Sequence, residues 1–101
     1  MPSPQPAIRK RGEEALAALQ ELPDSKPVDI MKQRLDDAIA ALVQMRNELI
    51  DARRKGENIG EWLPRTNAIL STIYGTEFPV GGLNVQRIEE ARAALHDLIH
   101  G

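Results

Sequence analysis

Between Val28 and Ala52 the apolar residues Val28, Met31, Leu35, Ala38, Leu42, Met45, Leu49 and Ala52 recur at alternating steps of three and four. That spacing is the seam of a long amphipathic helix, with the register of a coiled coil. A second stripe, Ile39, Val43 and Ile50, lies beside the first at 100° per residue, so the apolar arc spans about half the circumference. A face that broad needs more than one neighbour. With Gly56 as its stop, the helix should run from about 28 to 55 and measure about 42 Å. In a chain of 101 residues, only shorter helices remain to pack on it. A chain of that size forms one domain that buries about 65% of its extended surface.

The flanking segments supply those partners. Ile8, Ala15, Leu16, Leu19 and Leu22 predict a helix over about 7–22, with Gly12 near its start costing about 1 kcal/mol against alanine. Residues 1–6, with Pro2, Pro4 and Pro6, read as a disordered tail. The run Pro23-Asp24-Ser25-Lys26-Pro27 stops the first helix, and Ser25 is suited to cap the next. A short helix over about 61–74 places Pro64 near its start, where a missing N–H does least harm, and ends at Gly75. Thr76 to Gly82 reads as an ordered loop with apolar anchors, and Gly81-Gly82 as a sharp turn. Asn84 caps a final helix over about 85–99, with Leu83 and Ile88 spaced as a hydrophobic staple. Its own seam is Ile88, Ala91, Leu95 and Leu98.

Composition narrows the function classes. Without cysteine there is no disulfide framework and no thiolate zinc site. A net charge of −2, from 13 basic and 15 acidic residues, gives no global field toward nucleic acid or anionic lipid. The first residues lack the apolar core of a signal peptide, and no apolar run approaches the roughly 20 residues of a membrane span. A cytoplasmic protein is the expectation.

Few motifs could carry chemistry. His96-Asp97-Leu98-Ile99-His100 sets two histidines one helical turn apart, as in zinc hydrolases, but with aspartate where those have glutamate and with no third ligand following. Near a helix C-terminus, histidines also suit the macrodipole and the free carbonyls. The triplets Arg9-Lys10-Arg11 and Arg53-Arg54-Lys55 have no interleaved aromatics for base stacking, and each has a local electrostatic reason. Arg46 lies inside the apolar arc of the long helix and calls for a carboxylate such as Glu77 or Glu89, or else for a partner's. Thr66 and Asn67 on the short helix are suited to bond the adjacent loop backbone. Paired acids such as Asp36-Asp37 and Glu89-Glu90 alternate with arginines in a salt-bridge pattern.

The stretch Trp62-Leu63, Asn67, Leu70-Ser71, Gly75, Glu77-Phe78-Pro79, Gly82 and Arg87-Ile88-Glu89 resembles a pattern in small uncharacterised proteins of Gram-negative bacteria. It covers about residues 62–92, and the resemblance implies no activity.

The expected architecture is an all-α small helical bundle: a single domain over 7–101 built round one long central helix, with the first and last helices as its antiparallel neighbours. The expected function is a non-enzymatic protein–protein interaction module, a homodimer pairing Val28, Met31, Leu35, Leu42, Met45 and Leu49 with a second copy. Arg46, Trp62, Asn67, Tyr74 and Phe78 form the candidate site for a different protein partner, since Trp and Tyr dominate interfaces when exposed. No catalytic residue, cofactor, small-molecule substrate or membrane contact is expected. The alternatives are a metal-binding protein or metal-dependent hydrolase using His96 and His100, and third a nucleic-acid adaptor.

Overall fold

A computed structural model describes residues 4–21, 28–74 and 85–100, with the side chains of Val28, Tyr74 and Val85 outside the description. Among the described residues it is an all-α bundle of four helices: α1 (Pro6–Glu21), α2 (Val28–Arg54), α3 (Trp62–Tyr74) and α4 (Val85–His100). Each lies within a residue or so of its expected bounds. The expected caps and turn at Ser25, Gly75, Gly81, Gly82 and Asn84, and the Leu83 staple, lie outside the described residues.

Chain order and side-chain bonds fix an up-down-up-down arrangement. Arg34 of α2 meets Glu21 at 3.4 Å and Arg11 of α1 meets Glu48 at 3.7 Å, so α1 and α2 run antiparallel. Arg9 Nη2 donates to the Ile99 carbonyl at 2.6 Å, setting the end of α4 beside the start of α1. α2 and α4 each pack on α1 and α3. The last and central helices therefore sit diagonally, not side by side as expected, because α1 and α3 fill the flanking positions of a four-helix square.

The first helix starts earlier than expected. Pro4 is buried, Gln5 reaches Glu57 at 2.9 Å, and the Gln5 carbonyl accepts from the N–H groups of Ile8 and Arg9. Pro6 then opens the helix with its fixed φ and missing N–H. Residues 4–6 are thus structured rather than part of a tail. At the end of α2, Gly56 adopts φ 87°, its N–H bonds the Arg53 carbonyl and the Glu57 N–H bonds the Ala52 carbonyl. This is a Schellman cap, which satisfies carbonyls a helix would otherwise leave open. Gly60, with φ 57° and its N–H on Asn58 Oδ1 at 3.1 Å, completes the turn into α3.

Gly12 does more than weaken α1. A Cβ built there would lie 3.1 Å from Met45 Sδ and 3.3 Å from Ile99 Cδ1, so its missing side chain is where α2 and α4 reach toward each other past α1. Gly12→Leu should overpack this point and cost about 1–3 kcal/mol. Gly12→Ala, which gains helix propensity against a tight contact with a flexible thioether, should be near neutral. Urea denaturation of the two variants checks this, and a Gly12→Leu protein as stable as the wild type would contradict it.

Candidate functional site

The seam residues expected to meet a second copy lie inside the chain. Leu42, Met45 and Leu49 are 0% exposed and Leu35 is 3% exposed, because α1 and α3 close over α2 and α4 completes the core. Met31 is half-buried against that core, and the Val28 side chain lies outside the described residues. The physical reason is geometric. A half-circumference arc has to be covered by two neighbours, and the chain's own helices suffice along the seam.

What remains partly open on α2 is the second stripe. Ile39, Val43 and Ile50 are half-buried, on the flank turned away from α1. α2 has 27 residues and α3 only 13, about 40 Å against about 20 Å. Ile30, near the start of α2, is 43% exposed. A broad open hollow on the outer face of α2 is lined by Gln44, Asn47, Ile50, Asp51 and Arg54. A smaller hollow of about 150 Å³ between α3 and α4 is lined by Arg65, Ala68, Ile69, Thr72 and Ala94. It is below the roughly 300 Å³ at which ligand pockets begin and has room for a side chain only.

The aromatic segment divides. Trp62 is 4% exposed and belongs to the core, so the expectation that it contacts a partner is corrected. Its carbonyl accepts from the fully buried Thr66 hydroxyl at 2.6 Å, a bond within α3 rather than to the neighbouring loop. That bond removes the penalty of a buried hydroxyl. Asn67 is exposed on α3. The Tyr74 side chain and Phe78 lie outside the described residues.

The charged candidates find mostly local partners. Arg46 is half-buried on the open flank of α2. Of the acids expected for it, Glu77 is outside the description and Glu89 takes Arg92 instead. Arg92 donates from Nη2 and Nε to Glu89 Oε2 at 2.8 and 3.1 Å. These hydrogen bonds hold the Glu89 carboxyl below its ordinary range and the Arg92 guanidinium above its own. A lowered carboxylate contributes stability above its unfolded-state value and loses it as acid carries the pH through the lowered one. On an open surface that contribution is small.

In the first basic triplet, Arg9 also meets Glu13 and Arg11 meets Glu14, each at 3.7 Å. In the second, Lys55 meets Asp51 at 3.2 Å. The bond from Arg9 to the end of α4 had no sequence signal, since it spans 90 positions.

At the exposed end of α4 the His96 and His100 rings lie 4.6 Å apart between centres, tilted by 47°. His96 Nδ1 is 4.0 Å from Asp97 Oδ1. Among the described residues no three His, Asp or Glu side chains converge as metal ligands. Nor is any described helix long and apolar enough to cross a membrane. In comparisons with known proteins, no family model, no curated protein and no solved structure matches this chain.

Proposed function

We propose that this chain is a non-enzymatic interaction module that self-associates through the outer flank of α2. The observation that carries this is the half-open stripe Ile39, Val43 and Ile50 on the flank of α2 turned away from α1. Monomers gain by covering contiguous apolar surface of this kind. The long side of the bundle measures 44 by 22 Å, room for the about 800 Å² that each partner gives to a specific interface.

Charge along the flank favours a second copy in antiparallel orientation. Asp36 stands exposed toward the N-terminal end and Arg54 toward the C-terminal end. A two-fold axis near Met45 brings each Asp36 opposite the Arg54 of the other copy, the self-complementarity of an isologous dimer. Exposed pairs contribute only about 0–1 kcal/mol each, so they set direction while apolar burial supplies strength.

In this arrangement Val43 lies within a turn of the axis. A Val43→Cys variant, in a chain with no other cysteine, should oxidise readily to a disulfide-linked dimer. Ala17→Cys, exposed on α1, should not. Equal rates of cross-linking in the two variants would contradict the proposed flank.

A further inference from the structure

The imidazole pair at the end of α4 has a geometry that its sequence alone left weak. Three objections apply to a metal site there: the last turn frays, aspartate replaces the usual glutamate, and no third ligand follows. The first is removed by the fold. Leu98 and Ile99 are buried at 5% and 3% exposure, and Arg9 Nη2 holds the Ile99 carbonyl at 2.6 Å. The final turn is therefore anchored between its histidines. Arg9 does not confront a cation with an open charge, because its Nε lies 3.7 Å from Glu13.

The ring separation fits chelation. Metal–nitrogen bonds of about 2.1 Å put a cation about 3.2 Å from each ring centre, and a right angle at the metal sets the centres about 4.6 Å apart. The observed separation is 4.6 Å, with the rings tilted 47° to each other rather than stacked flat. Asp97 has a different role from the glutamate of the hydrolase motif. Its Oδ1 lies 4.0 Å from His96 Nδ1, too far for a hydrogen bond, so it places a negative charge beside the pair without fixing the tautomer of His96.

We propose that His96 and His100 form an open bidentate chelate for a borderline divalent cation of the copper, nickel or zinc class. Two imidazoles select these ions over magnesium and calcium, which prefer oxygen, and copper should bind most tightly. Because the protein offers two donors, the remaining coordination positions belong to water or to a donor from another molecule. The site is independent of the α2 flank.

Isothermal titration of untagged protein with CuCl₂, NiCl₂, ZnCl₂ and MgCl₂ tests it, alongside His96→Ala and His100→Ala. Both histidines are exposed, so the variants should keep the wild-type circular dichroism. The expected result is one Cu²⁺ per chain, weaker Ni²⁺ and Zn²⁺ binding, and no Mg²⁺ binding. Each single variant should lose at least about tenfold in Cu²⁺ affinity, since the second imidazole binds intramolecularly. In proton NMR, substoichiometric Cu²⁺ should broaden both histidine ring signals together. Equal affinity in wild type and single variants, or broadening of one ring alone, would mean adventitious single-imidazole binding and overturn the proposal.

Discussion

Leu42→Ala should destabilise the chain by about 2–5 kcal/mol, the cost of removing a fully buried leucine and leaving a cavity. Leu42 is 0% exposed at the middle of α2, in a core that also holds Leu19, Met45, Ile73 and Leu95 at 0%. Domains of this size are stable by only about 5–15 kcal/mol, so the loss is a large share of the total. At about 4–8 °C per kcal/mol, the melting temperature should fall by about 8 °C or more. The decisive feature is concentration. A core residue loses its contacts whether or not chains associate, so the difference between Leu42→Ala and wild type should be the same at low and high protein concentration. A difference that grows with concentration would place the seam between chains, where its spacing alone had suggested it belonged. Val43→Ala, one residue away and half-buried, should cost far less.

Trp62→Ala should be comparably severe, about 3–5 kcal/mol. Trp62 is 4% exposed at the first turn of α3, with Ile59 and Leu63 of the same core on either side. The chain has a single tryptophan, so fluorescence reports on this position without ambiguity. Native protein should emit at the blue end of the tryptophan range and resist collisional quenching, and urea unfolding should shift emission to the red. A native spectrum already red and freely quenched would contradict the core placement and return Trp62 to the surface.

The two cases show what sequence could and could not disclose. The spacing from Val28 to Ala52 gave the length and the apolar face of α2 because helical periodicity is a local property. Gly56 marked its end because the Schellman turn needs a positive φ that glycine adopts freely. Periodicity does not say who covers a face. Leu35, Leu42, Met45 and Leu49 look the same in sequence whether α1 and α3 or another chain lies over them. Trp62 was ambiguous for the same reason, since an aromatic beside a glycine-rich stretch suits both a core anchor and a contact. Gly12 carried a helix penalty in sequence, while its role in letting Met45 and Ile99 approach belongs to packing between distant segments. The Arg9 bond to Ile99 is of the same kind. The stripe was visible as Ile39, Val43 and Ile50, but that it stays half-covered belongs to packing between helices.

Self-association through this flank is the central claim, and sedimentation equilibrium tests it most directly. Wild-type chain and Val43→Glu would be compared from low to high micromolar concentration, with circular dichroism showing that the variant stays folded. The wild type should approach twice the chain mass of 11.2 kDa, and Val43→Glu should remain at the single-chain mass, because a carboxylate then has to be desolvated where apolar side chains of the two copies would meet. A wild-type protein that stays at 11.2 kDa throughout, or a folded Val43→Glu variant that dimerises as well as the wild type, would contradict it.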